Sequence, residues 1–467
     1  MATIIEQEPL YNPLPVGQDI IFTLSNSQVV SNYFNVKFVA QVYISSTIAS
    51  NIALTTDLIG TFKAAPNNAG VGIFDFSAVV ENHVKSDNLM TDNTYYKGTF
   101  YSASMDKPPL HITDKFTANN HSIKWLRINF TVEGSTTLSG IPAVIQNQDI
   151  STENFKIFNG YLKHTDNLEI FDNDFGYDTT GFQLVNSTSK FLTNAPVTQY
   201  ANLEDYGTLG FMPVILGGAT PRYSLDYIKF TYHKTDGSGT VTENIPLNMS
   251  GIYSTNVKYL LFFVGCYPAN LQNYSTMFQG LVTAETIQGG FYTVQGYDED
   301  DVAVSKQYLI NVQCPDLKNY ESIRLAWLNQ WGAWDYYTFT KKSTRTISTQ
   351  GSTYTQLEGT WNESVFKLNG YRGGKKAFRV NATEKIKMNT DFVNESESEW
   401  FEELINSPEV LMLEGFQGDS ANALLNTYVT PVRLTTSSYT RKTIANDKLM
   451  QYTFEVEKSK TLRTQSI

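Results

Sequence analysis

The chain has 467 residues, of which 41% are apolar, 13% aromatic and 17% charged, with a formal net charge of −11. At about 100–200 residues per domain this length suggests three or four domains, and the apolar content excludes general disorder. The acidic balance excludes a nucleic-acid-binding surface, because neutralising phosphates requires clustered Lys and Arg.

The first residues, Met1-Ala-Thr-Ile-Ile-Glu-Gln-Glu8, are acidic where a secretory signal is basic, and no apolar stretch follows them. Pro9, Pro13 and Pro15 then predict an extended arm over residues 1–17, of a kind that can lie across a neighbouring subunit. In Asn35–Ile44 the residues Val36, Phe38, Ala40 and Val42 share one parity, which is the period of a strand with one buried face. Ala78–Val84 predicts a short amphipathic helix capped by Asp75 or Ser77. Tyr95–Tyr101, Trp125–Val132 and Phe155–Leu162 continue as strands with polar turns between them, which fits antiparallel sandwiches.

Asp172-Asn-Asp-Phe-Gly-Tyr-Asp178 places Asp172, Asp174 and Asp178 on a tight loop, and hard oxygen ligands at such positions suit Ca²⁺. The Gly stands at position 5, however, and no Glu closes the site at position 12, so a polar turn is the ordinary reading and no metal is assigned. Further on, Asp226–His233 predicts a strand, and Asp236-Gly237 a hairpin turn after it. The apolar run Tyr259–Tyr267 is far below the roughly 20 residues that span a bilayer, and it predicts a buried strand with no membrane crossing. Asp298, Glu299, Asp300 and Asp301 follow the strand Gly290–Tyr297 and read as a solvated turn.

Trp327, Trp331, Trp334 and Tyr336 crowd one segment beside Asp335. Large aromatics dominate packed cores, subunit interfaces and sugar-binding grooves alike. The core or interface reading therefore stands beside a glycan platform, on which Asp335 would be one carboxylate of a hydrolytic pair. Arg372, Lys375, Lys376 and Arg379 surround Gly373-Gly374 and read as a solvated hairpin turn in preference to a phosphate contact. Residues 394–406 form the one convincing helix. Asn394 caps it, early glutamates favour its dipole, Trp400, Phe401, Leu404 and Ile405 make its apolar stripe, and Ser407-Pro408 ends it.

Together these elements predict a mainly β chain of several antiparallel β-sandwich-like domains with a few short helices. The expected division is an arm over 1–17, a sandwich over 18–118, a β domain over 119–222, a sandwich over 223–345 and a β domain with the helix over 346–467. No metalloprotease helix, nucleophile elbow, dinucleotide loop or phosphate loop occurs in the sequence. With no catalytic residues and no cofactor assigned, the residues read as a structural or binding protein and not an enzyme. Cys266 and Cys314 lack zinc-site spacing and read as free, buried thiols, with a single disulfide as the alternative.

Three stretches taken in order carry a resemblance. Asn35–Ile44 is followed by Gly60-Thr-Phe-Lys63, Pro66-Asn-Asn68 and Gly70–Ser77, then Phe191–Tyr200 runs into Glu204–Leu209, and Leu325–Phe339 joins the later Glu397–Val410. Over most of its length the chain resembles virion structural proteins of the tail or baseplate of tailed bacteriophages infecting Bacteroidetes-type hosts. The resemblance implies a homo-oligomeric ring or hub, other virion tail proteins as partners, assembly in the host cytoplasm and no cofactor. The competing expectation is a carbohydrate-binding adhesin, or a depolymerase acting on a host-surface glycan.

Overall fold

The computed structural model describes residues 2–9, 13–45, 57–84, 116–119, 122–163, 170–171, 174–175, 184–212, 215–216, 222–223, 225–246, 261–314, 320–414, 429–440, 450–460 and 462–463. The protein is mainly β, built of antiparallel and mixed sheets with a few short helices. It divides into two compact units whose sequences interleave. The first takes residues 1–314, 328–335 and 416–423, and the second takes 315–327, 336–415 and 424–467.

The first unit opens on a sandwich. One sheet runs in the order Leu14–Pro15, Phe155–Phe158, Ile123–Ser135, Phe34–Ser45 and Leu58–Ala64. A smaller sheet pairs Ile21–Ser25 with Ile4–Gln7 on one side and Val71–Asp75 on the other. The alternation read from the sequence is realised here, since Val36, Phe38, Ala40 and Val42 are all buried. They join Phe22, Leu24 and Phe74 of the smaller sheet in one core. Phe22 and Phe74 lie with ring centroids 5.9 and 5.8 Å from Phe130 of the larger sheet. Facing aromatic pairs of this kind add about 0.5–1.5 kcal/mol beyond their buried area.

Four sequence expectations change at this point, the arm and three domain cuts. The stretch expected as an arm belongs to the sandwich itself. Ile4–Gln7 pairs antiparallel within the smaller sheet, Leu14–Pro15 pairs parallel with Ile157–Phe158, and Leu14 and Val16 sit in the core. Proline suits such an edge position, because it has no N–H to give a further strand. The cut expected at 118 falls inside one sheet, since Phe34–Ser45 pairs with Ile123–Ser135. Those at 222 and 345 fall within the paired strands Arg222–Tyr223 and Thr344–Gln356.

A five-stranded sheet follows in the first unit, ordered Thr198–Ala201, Tyr308–Val312, Phe291–Tyr297, Tyr227–His233 and Thr240–Pro246. The expected Asp236-Gly237 turn joins its last two strands, with Gly237 at φ 74° and Asp236 Oδ1 accepting from Ser238 N at 2.9 Å. Within the apolar run, Leu261–Gly265 is a fully buried strand. Helices Pro268–Tyr274 and Thr276–Thr283 come next, and Phe278 from the second packs on Tyr232 and Tyr292. Cys266 is buried as expected, whereas Cys314 is exposed, and no disulfide joins them.

The second unit is one sheet in the order Trp334–Phe339, Ile323–Leu328, Val410–Leu413, Val429–Leu434, Thr453–Lys458, Gly374–Asn389 and Thr344–Gln356. The expected helix is present as Glu395–Asn406 with a complete capping box between Asn394 and Glu397. Its stripe meets the sheet. Trp400 lies 4.9 Å from Trp327, and Phe401 lies 4.9 Å from Tyr337 and 5.4 Å from Phe454, centroid to centroid.

Candidate functional site

The aromatic segment around Asp335 carries a dense set of polar bonds among the described residues. Trp327, Trp331, Trp334 and Tyr336 are 0, 5, 3 and 4% exposed, so none of them lines an open platform. Tyr336 instead receives the Arg324 guanidinium over its ring at 5.3 Å, and Arg324 donates to Thr338 Oγ1 at 2.7 Å. All four are therefore buried side chains, as the core reading of the sequence expected.

Between the two strands, residues 329–335 make a tight turn organised by Asn329. Its Oδ1 accepts from Trp331 N and Ala333 N, each at 3.0 Å, and its Nδ2 donates to Leu192 O at 2.8 Å and Asp335 Oδ1 at 3.0 Å. Asp335 Oδ1 also accepts from Thr193 Oγ1 at 2.6 Å, and Trp331 Nε1 donates to Asn194 Oδ1 at 3.1 Å. Gly332 holds φ 73°, and a Cβ there would overlap the Asn159 carbonyl oxygen. Burial pushes the Tyr308 phenol up, a backbone bond to Phe191 opposes this, and the Asp335 charge adds to it. Asp335 is 3% exposed and its carboxylate bonds to neutral donors. It braces a turn, in a geometry that leaves no opening for a sugar ring.

The acidic run at 298–301 is the solvated turn expected of it. Asp298 Oδ1 accepts from Asp300 N at 3.0 Å and Val302 N at 2.8 Å, and Asp301 Oδ1 accepts the Tyr227 hydroxyl at 2.7 Å. Of the candidate calcium loop, Asp172 and Asp178 lie outside the described residues, and Asp174 begins the short strand Asp174–Phe175. Among the described residues no three His, Cys, Asp or Glu side chains stand together to hold a metal. Nor is any described helix long and apolar enough to cross a membrane.

The basic group lies on a feature that the sequence reading did not single out. Thr344–Gln356 and Gly374–Asn389 pair over their length as a long antiparallel ribbon, and Arg372, Lys375, Lys376 and Arg379 stand at its far end. Gly373 and Gly374, at φ 97° and 76°, lead into the second strand, and the connection is the longer segment 357–373 where the sequence read a hairpin turn at the two glycines. Lys376 Nζ donates to Tyr371 O at 2.8 Å, and the Arg372 guanidinium lies 5.9 Å from the Tyr371 ring centroid. None of the four makes an ion pair with a described carboxylate.

The loop between the strands is apolar and open. Leu357, Trp361, Leu368 and Tyr371 are 75, 69, 71 and 72% exposed. Local bonds order it, since Thr360 Oγ1 donates to Val365 O at 3.0 Å and accepts from Lys367 N at 2.8 Å. The Trp361 and Phe366 rings also pair at 5.0 Å. One signal was available for this surface. Apolar residues scattered without period among the turn residues Gly359, Asn362, Asn369 and Gly370 have no strand or helix face to bury them.

No protein-family model matches the chain, and no curated protein does either. Among solved structures it is similar to trypsin-activated alpha-2-macroglobulin from Escherichia coli, at 8% identity over 84% of this chain and 26% of that one, with a TM-score of 0.19. A Salmonella alpha-2-macroglobulin reacted with methylamine gives 7% identity over 97% of this chain and 23% of that one, again at 0.19. The chain spans about a quarter of those proteins, and likeness at this level establishes no shared fold.

Proposed function

We propose that the chain is a structural component of a bacteriophage virion, a tail or baseplate subunit that assembles with copies of itself into a symmetric ring or hub. Its further partners are other tail proteins, its place is the virion after assembly in the host cytoplasm, and it performs no catalysis. The observation that carries this reading is the ordered apolar loop at the end of the ribbon. Several large apolar side chains exposed on one short loop are uncommon on monomers and mark places where proteins meet. The resemblance noted in the sequence points the same way. The rival reading, an adhesin or depolymerase acting on host-surface glycan, loses the residues on which it stood, because all four aromatics and Asp335 are buried.

Light scattering and negative-stain imaging of the purified chain test the proposal. A discrete multimer or ring is expected, or incorporation into such a body once neighbouring tail proteins are added. A monomer that stays outside every such assembly overturns it.

A further inference from the structure

We infer that the end of the ribbon is the contact by which one copy of this chain grips the next, head to tail; the inference rests on the assembly reading above. Among the described strands, residues 385–389 pair with Thr453–Lys458 and residues 381–382 with Leu462–Arg463, while residues 374–379 pair with Thr344–Gln356 alone. A two-stranded ribbon buries little of its own surface and is marginal alone in water. This one ends in a loop with its own hydrogen bonds and with its apolar side chains exposed. A surface ordered before binding loses less entropy when it docks.

Charge identifies the occupant. Residues 357–379 carry five cations, Lys367, Arg372, Lys375, Lys376 and Arg379, against Glu358 and Glu363. This leaves the segment at +3, so the remainder of the chain carries −14. A second copy, acidic over the rest of its residues, therefore attracts this basic, apolar end. An anionic bilayer would offer the same attraction, but Glu358 and Glu363 sit among the apolar residues of the loop and would have to enter the lipid with them, which is costly. A basic end that meets acidic residues elsewhere on a second copy makes a contact between two different patches. Contacts of that kind generate rings when the rotation closes.

The test compares wild type with Leu357→Ser/Leu368→Ser and Lys375→Glu/Arg379→Glu, measuring mass by light scattering against protein concentration at low and high salt. All four residues are exposed, so circular dichroism should show both variants folded. Wild type is expected to form a multimer, and each variant to need about ten-fold more protein or higher to do so. Added salt should weaken the wild type and change the charge variant less, since screening acts on the pair that variant has already removed. Wild-type multimers that both variants form equally well overturn the ribbon contact and leave the assembly reading standing. A wild type that is monomeric throughout overturns the second-copy occupant. Co-sedimentation of that monomer with phosphatidylserine vesicles would then assign the surface to lipid.

Discussion

Asn329 carries more of the first unit than its size suggests. Its amide satisfies two backbone N–H groups, a backbone carbonyl and the Asp335 carboxylate, all within a 3% exposed site. Asn329→Ala strands these partners away from water, and each buried orphan costs about 1–3 kcal/mol. Urea denaturation should therefore show a loss of roughly 2–4 kcal/mol, once the partial relaxation of the turn is allowed for. Gly332→Ala should be as severe, because the left-handed backbone costs about 1–3 kcal/mol before the clash with the Asn159 carbonyl is counted. The turn was not read from the sequence, although Asn329 and Gly332 are residue types that a tight turn with a side-chain bond demands. The sequence could not display which way the tryptophans face. Trp, Tyr and Asp together describe a core and a sugar groove equally well, and only burial separates the two.

Single elements were legible wherever a local rule sufficed. The 395–406 helix follows from its cap, its early glutamates and its stripe, and all three are present in the structure. Asn394→Ala removes the acceptor for Glu397 N and should lower stability by about 1 kcal/mol in denaturant titration. The ribbon was illegible for the opposite reason, since Thr344–Gln356 is a polar run exposed along most of its length and has no period. Its base is fixed by Arg345, which pairs with Glu321 and, at 2.6 Å, with Glu384. Bonds from Arg345 hold both carboxyls below their usual range, against the opposing effect of burial. Folded carboxylates of lowered pKa contribute stability above the unfolded value, about 4.3, and lose it as pH falls through the folded one. These groups are partly exposed, so Arg345→Ala should cost under about 1 kcal/mol at neutral pH. The gap to wild type should close as the carboxyls are protonated below the usual carboxylate range. A gap that stays constant into acid would show that Arg345 acts through its packing instead.

At the scale of the whole molecule, sequence reading assumes that a domain is a continuous stretch whose strands pair with near neighbours, and this chain departs from both assumptions. Residues 328–335 belong to the first unit although the strands on either side belong mainly to the second, and the first sandwich recruits residues 4–16 to close on residues 155–158. No composition shift marks such returns, because pairing between distant strands leaves no local trace. The consequence is testable at the N-terminus. Were residues 1–17 a free arm, deleting them would leave the fold intact and change only association. In this structure the deletion removes Leu14 and Val16, which are 0 and 3% exposed, together with an edge strand from each sheet. Fully burying one aliphatic side chain is worth about 1.5–3 kcal/mol, so losing two with their strands should cost roughly 4 kcal/mol or more, a large share of the 5–15 kcal/mol typical of a domain. The truncated chain should therefore melt well below wild type, or fail to fold, at concentrations where both are monomeric. An unchanged melting temperature accompanied by a smaller mass in solution would instead return residues 1–17 to the role of an intersubunit arm.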